Sequence, residues 1–303
     1  MNDNTIVIYH GGCRDGFCAA WVYNKYIMSN YYKGETEYFP GFYGQEPPNV
    51  KDKHVVIVDF SYDYNIMLEI ISDCKSLTWL DHHKTAKQFA DFLDEKQKPF
   101  EPIVDKVKYD FDNARSGAGI AWDYFFPNEP RPWLVDYVED RDLWLNKLNN
   151  TNVVNAYVAC LKFDFPVWDD ANGLDVEDVA EYGQTAIMKT EQYVREVCKN
   201  VYFANIPYRD IDGILGSADK DWNGIPVVNI CQVDCSEVLH ELCKIYSNSC
   251  FSLYWFKRSD GMYQYGLRSI GDFDVSEVAK LFNGGGHKNA AGFQLKYLLQ
   301  ELQ

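Results

Sequence analysis

The sequence predicts an α/β protein: an N-terminal parallel-sheet domain, a long connecting helix and a smaller mixed α/β domain. Three observations carry this reading. Short apolar runs alternate with helical stretches through the first half, one long charged helical segment follows, and shorter strands and helices fill the remainder. Strand–helix alternation at this spacing is the pattern of a parallel sheet with helices on both faces. The divisions are placed at residues 1–173, 174–204 and 205–303.

Taken in order, "TIVIYH" (Thr5 to His10) is the first strand, and "DGFCAAWVYNKYI" the helix that follows a glycine-rich turn. "HVVIVDF" and "SLTWLDHH" are further strands, separated by the helical "YNIMLEIISDC". "RSGAGIAWDYFF" and "RPWLVDYVEDRDLW" read as helices, with Ser116 and the Pro130–Pro132 region as start signals. Leu174 to Tyr202 reads as one long helix with charges on one side. Beyond it come "IPVVNICQ", the helix "SEVLHELCKIY", the strands "CFSLYWFKR" and "MYQYGLRSI", the helix "VSEVAKLF" and finally "NGGGHKNAAGFQL".

Composition narrows the function classes. With 303 residues, 47% hydrophobic and 16% aromatic, the chain can pack a core in each of two domains. A net charge of -16 excludes a long nucleic-acid footprint, which needs a broad basic face, but leaves room for a small phosphorylated substrate. No apolar run has the length of a membrane helix, and no basic region precedes the short apolar stretch at the start. A soluble, cytoplasmic protein without membrane partners is therefore expected. The nine cysteines form no CxxC pair and no zinc-finger spacing, which fits reduced side chains in the same compartment.

Chemistry collects where strands end. The first strand ends at His10 with Asp15 just beyond, another at Asp59, and a third at Asp81, His82 and His83. Ligands of open parallel sheets bind beyond the carboxyl ends of the strands, so these side chains can converge. A lone Asp after a strand is usually a turn or helix cap, and paired histidines are usually surface residues. Several at one sheet edge point instead to a metal site, and four of the six histidines lie in these segments or in the C-terminal "GGGH". Carboxylates with imidazoles suit Mn²⁺, Mg²⁺ or Fe²⁺ better than structural zinc. The opening turn has neither the G-x-G-x-x-G order of a dinucleotide fold nor the GK[ST] ending of a P-loop.

The "YHGG–RDG" turn, the "VDF" strand end, "LDHHK" at Leu80 to Lys84 and the distant "GGGHKNAAGF" together resemble the DHH phosphoesterase superfamily with its DHH-associated C-terminal domain. The resemblance implies a two-Mn²⁺ phosphohydrolase with its site in a cleft between the domains, a hydroxide activated by both ions attacking phosphorus. His10, Asp15, Asp59 and His82 match metal ligands, with Asp59 shared. Asp140 is the best match for a further carboxylate, with Asp136 and Asp142 competing. Asp81 and His83 match the catalytic positions, Asp81 orienting the histidines and His83 beside the phosphate. Arg268, Gly284, Gly285, Gly286 and His287, together with Arg115, match substrate-binding positions. Where the family commonly offers another aspartate, this chain has Cys13. Mn²⁺ prefers oxygen donors, so Cys13 is expected not to be an essential ligand. Small nucleotides are the expected substrates: short oligonucleotides, cyclic dinucleotides or nucleotide bisphosphates. Polyphosphate or pyrophosphate hydrolysis, or a nucleotide sensor with little turnover, are the rivals, and self-association into a homo-oligomer is left open.

Overall fold

The computed structural model describes residues 4–30, 34–95, 105–206 and 222–299. Two compact units are formed, Met1–Ile187 and Met188–Gln303.

The first unit is built on a five-stranded, wholly parallel sheet in the order β2-β1-β3-β4-β5. Its strands are β1 (Thr5–His10), β2 (Thr36–Gly41), β3 (His54–Val58), β4 (Ser76–Asp81) and β5 (Val107–Phe111). Both edge strands lack an apolar run in the sequence. An edge strand pairs on one side only, so Pro40 in β2 and the charged Lys108 and Asp110 in β5 are tolerated there and discourage further pairing. Alternation sends Val7, Val56, Val58 and Leu80 to one face and Ile6, Ile8, Val55, Ile57, Leu77 and Trp79 to the other.

Each face has its own core. The first is covered by α1 (Arg14–Ser29), α4 (Gly117–Phe125) and α5 (Trp133–Asp142), with Val158 of α6 (Thr151–Cys160) and Trp168 of α7 (Phe165–Asn172). The second is covered by α2 (Tyr64–Asp73) and α3 (Lys87–Glu95). Ser116 caps α4 by accepting from Gly119 N, and Pro132 stands at the N-cap of α5, as the start signals predict. The chain leaves β1 towards β2 on one side and later adds β3 on the other. β1 and β3 therefore flank the switch point of the sheet, where a crevice opens at the strands' carboxyl ends.

The long helix α8 (Val176–Val197) ends earlier than expected, and Tyr202 opens a strand instead. Val176, Val179 and Ala180 pack against Tyr137 and Val154 of the first unit, whereas Tyr193, Val194 and Val197 join the core of the second. That second unit holds a six-stranded sheet in the order β10-β11-β9-β8-β7-β6. The strands are β6 (Tyr202–Ile206), β7 (Trp222–Asn229), β8 (Ser252–Lys257), β9 (Tyr263–Arg268), β10 (Gly285–His287) and β11 (Ala290–Leu295). β7 and β8 pair in parallel and the other neighbours are antiparallel. A parallel pair needs a crossover, and α9 (Cys235–Ile245) supplies it. Val275, Val278 and Ala279 of α10 (Val275–Lys280) enter the core on the sheet.

Candidate metal centre

The opening turn is shaped by close approach. Gly12 takes φ +70°, the left-handed conformation that glycine adopts without steric cost. Gly16, in the first turn of α1, lies so near the end of β1 that a Cβ there would sit 2.5 Å from His10 O. This brings His10 and Asp15 to the same side of the sheet edge. Asp15 does not cap its own helix. Its carboxylate accepts from Gly117 N at 2.6 Å and Ala118 N at 2.9 Å, the free amides at the start of α4. A side chain on Gly117 would lie 2.7 Å from Asp59 Cγ, so the third element of this corner also depends on a glycine.

Asp59 follows β3 directly and holds φ +54°, a strained conformation for a residue with a side chain. It is 1% exposed, and its oxygens lie 2.9 Å from His82 Nε2 and 3.6 Å from His10 Nδ1. His82 Nε2 is also 3.5 Å from Asp15 and 3.7 Å from Asp142. Neither oxygen of Asp59 accepts a well-aligned hydrogen bond, and His10 Nδ1 and Asp142 Oδ2 likewise lack one. Burial would raise the Asp59 carboxyl, but contact with His10 and His82 and the charge of His83 hold it well below the usual carboxylate range. Asp15 is pushed well above that range, first by burial and then by Asp59 and Asp142. Asp142 is raised as well, chiefly by burial. Burial lowers His82, yet its carboxylate neighbours leave it well above an ordinary imidazole. Three carboxylates cannot share this corner as anions without protons or cations to balance them.

The fit to divalent metal is therefore good. Buried oxygens and ring nitrogens face one space, and several lack aligned partners. Asp15, Asp59 and His82 bring ligand atoms within 4.8 Å of one another, and so do His10, Cys13 and Asp59. The two groups share Asp59.

Asp81 plays another part. Its Oδ1 accepts from His82 N at 2.7 Å, His83 N at 3.2 Å and His83 Nδ1 at 2.7 Å, and its Oδ2 from the Ser61 hydroxyl at 2.6 Å. Ser61 accepts in turn from Trp79 Nε1 at 2.9 Å. Asp81 is thus a saturated, buried acceptor that fixes the Nδ1–H tautomer of His83 and leaves Nε2 for other work.

Two expected residues are placed elsewhere. The carboxylate of Asp140 accepts from Lys147 N at 2.9 Å, Leu148 N at 3.1 Å and the Thr151 hydroxyl, so it closes the turn after α5 and faces away from the cluster. Asp142 faces His82 in its stead. Asp136 is 3.9 Å from Arg131 Nη1 and is no part of the cluster. Arg115 is engaged by Asp110, Asp112 and Asp123, at 2.9, 2.8 and 3.2 Å. Those three carboxylates give Arg115 a structural role without a substrate. The Cys13 sulfur lies in the same group of possible ligand atoms as His10 and Asp59.

Residues 227–303 match the family model of the DHHA1 domain. The fold resembles the solved structure of an exopolyphosphatase-related protein from Bacteroides fragilis, at 13% identity and a TM-score of 0.51 over 99% of this chain and 89% of that one. It also resembles RecJ from Thermus thermophilus in complex with Mn²⁺, at 12% identity and a TM-score of 0.50, over 96% of this chain and 49% of that one. The C-terminal quarter of the chain thus resembles a DHHA1 domain, and the fold of the whole is similar to that of these two structures. A curated relative, uncharacterized protein R106 of Acanthamoeba polyphaga mimivirus, is 29% identical over 310 residues. That match takes in 95% of this chain, which spans 66% of the relative's length.

In the region that matches the DHHA1 model, Arg268 ends β9 and is 4% exposed. Asn283 takes the left-handed position after α10, and Gly284 N donates to Ala279 O at 2.9 Å, which closes the helix. Gly285, Gly286 and His287 then pair with Gly292, Ala291 and Ala290. A Cβ on Gly286 would lie 2.5 Å from Ala290 O and one on Gly284 2.5 Å from Phe293 Cβ, so the glycine run is explained by the tightness of this hairpin. Sequence reasoning missed the amides of Gly117 and Ala118. A "SGAG" helix start lacking side chains next to a predicted acidic cluster was the available signal.

Proposed function

We propose that this protein is a phosphodiesterase of the DHH superfamily, dependent on divalent metal and acting on small nucleotides: short oligonucleotides, cyclic dinucleotides or nucleotide bisphosphates. The observation that carries the reading is Asp59, whose two buried oxygens face imidazoles at the ends of two other strands without an aligned donor. Asp15, Asp59, His82 and Asp142 would hold one ion, and His10 and Asp59 a second, with Mn²⁺ preferred by the oxygen-rich set. Bound ions supply an acidified water and charge neutralisation at the phosphoryl oxygens. The rest belongs to the chain. Asp81 holds the ring of His83 so that Nε2 meets a phosphate oxygen, donating when the ring is protonated. The amides of Gly117 and Ala118 hold Asp15 in one orientation. Arg268, His287 and Gly284 to Gly286 take the part of the substrate that does not react, with a guanidinium suited to bidentate phosphate contact. The net charge of -16 disfavours long duplexes, and nine free cysteines suit a reducing, cytoplasm-like compartment. Among the described residues no helix is long and apolar enough to cross a membrane.

The test is a hydrolysis panel of dinucleotides, cyclic dinucleotides, adenosine bisphosphate, polyphosphate and an aryl phosphodiester, with Mn²⁺, Mg²⁺ or Fe²⁺, run beside a folded Asp59→Asn protein. Asn tolerates the left-handed backbone at this position, so the variant should fold. Nucleotide turnover that requires metal and vanishes in Asp59→Asn is the expected result. Turnover of polyphosphate alone would overturn the substrate class, nucleotide binding without turnover would identify a sensor, and activity surviving Asp59→Asn would refute the metal chemistry.

A further inference from the structure

The two halves of the centre differ in donor chemistry. On one side the donors are carboxylates of Asp15, Asp59 and Asp142 with His82 Nε2. On the other, His10 and Cys13 bring a nitrogen and a sulfur within 4.8 Å of each other and of Asp59. Cys13 is the N-cap residue of α1, but its side chain makes no capping hydrogen bond, so the helix start makes no use of the sulfur. Asp59 Oδ2 and His10 Nδ1 lie 3.6 Å apart on this side, and neither has an aligned hydrogen-bond partner. One imidazole, one sulfur and one carboxylate form a three-ligand set that suits borderline and soft cations and leaves a coordination place open.

We propose that the His10–Cys13–Asp59 position takes a thiophilic divalent cation, Zn²⁺, Fe²⁺ or Co²⁺, through the Cys13 sulfur, while the carboxylate-rich position takes Mn²⁺ or Mg²⁺. The centre is then loaded with two different metals. This rests on the two-ion reading above and deepens it. On binding, the Cys13 S–H bond is replaced by a sulfur–metal bond and the proton leaves to solvent, since a coordinating thiol is deprotonated by the ion. The exchange changes the oxidation state of neither partner.

The experiment is anaerobic Co²⁺ titration of the full chain, read by absorption, for the wild type, Cys13→Ser and Cys13→Asp. Ser is a favourable N-cap residue, so Cys13→Ser should fold. The wild type should show visible ligand-field bands together with a near-ultraviolet sulfur-to-cobalt charge-transfer band. Both variants should keep ligand-field bands and lose the charge-transfer band. Elemental analysis after loading with equimolar Mn²⁺ and Zn²⁺ should find one of each metal per wild-type chain. Cys13→Asp should bind Zn²⁺ at least about tenfold more weakly, because losing even an outer partner of a metal ligand costs about 10–100-fold. Ligand-field bands without charge transfer in the wild type, or a charge-transfer band that survives in Cys13→Ser, would overturn the proposal and leave the two-ion reading standing. Failure to bind cobalt at all would overturn both.

Discussion

Asp140 and Asp142 lie two positions apart on α5 and should fail in opposite ways when neutralised. Asp140→Asn removes the charge that accepts from Lys147 N, Leu148 N and the Thr151 hydroxyl. Hydrogen bonds to a charged group are worth about 1.5–3 kcal/mol against about 1 kcal/mol for neutral ones. The amide keeps a single acceptor oxygen, so the net loss should be about 2–3 kcal/mol. In a unit of this size each kcal/mol shifts the midpoint by about 2–4 °C, which gives a fall of about 4–12 °C for the metal-free protein. Its Mn²⁺ affinity should stay within about threefold of wild type, since coupling between separated sites is about 0.5 kcal/mol. Asp142→Asn should do the reverse. It replaces a carboxylate 3.7 Å from His82 Nε2 by a neutral amide and relieves repulsion with Asp59, so metal-free stability should hold or rise. Mn²⁺ affinity should drop at least about 10–100-fold. Calorimetric unfolding without metal and isothermal titration with Mn²⁺ read the two quantities separately. An Asp140→Asn protein of normal stability with Mn²⁺ binding as poor as that of Asp142→Asn would refute the assignment.

Gly117→Ala should lower the Tm by the equivalent of about 1–3 kcal/mol, the usual cost of overpacking, and weaken Mn²⁺ binding by displacing the amides that hold Asp15; unchanged affinity would show that Asp15 needs no such support. Asp81→Asn should leave Mn²⁺ binding largely intact but lower turnover, since the His83 ring then has a neutral amide acceptor in place of the carboxylate that holds it; turnover equal to wild type would show that His83 needs no charged partner. Without metal, the raised values of His82, Asp15 and Asp142 mean that each holds its proton more tightly in the folded state. For His82 that stability is fully present below its unfolded pKa of about 6.5 and is lost as pH rises through the folded value. Asp15 and Asp142 act in the same direction, while the lowered Asp59 matters only in the acid range. The metal-free Tm should therefore fall as pH climbs from about 6.5, and Mn²⁺ should restore it more strongly at higher pH because binding displaces protons. A Tm that stays flat or rises with pH would contradict this.

Much of the corner was legible because it sits at strand ends. His10, Asp59, Asp81, His82 and His83 each follow an apolar run, and the parallel sheet gathers such ends by geometry alone. The edge strands β2 and β5 were not legible, since strands paired on one side need no apolar pattern. The choice between Asp140 and Asp142 was beyond reach for a related reason. Residues two apart on a helix point in different directions, so only one can face the cluster, and a turn further along the chain decides which. Arg115 could have been read better: Asp110, Asp112 and Asp123 are close in sequence and account for its charge. The glycine run before His287 was legible as a constraint, but the constraint is the closeness of two strands.

The scatter of the centre along the chain has a bearing on how the protein is made. The side chains proposed as its ligands come from the first strand, the turn after it, the ends of the third and fourth strands and the last residue of α5, so they meet only when the sheet has closed around its switch point. Pairings between such distant segments form late, after the loop entropy has been overcome. A ribosome must release most of the first unit before any ion finds a full set of donors. On the proposed metal chemistry, divalent ions would be poor templates for early folding and would act as a lock on the finished unit, so chains made in a metal-starved cell would fold first, with the acidic corner held together by protons.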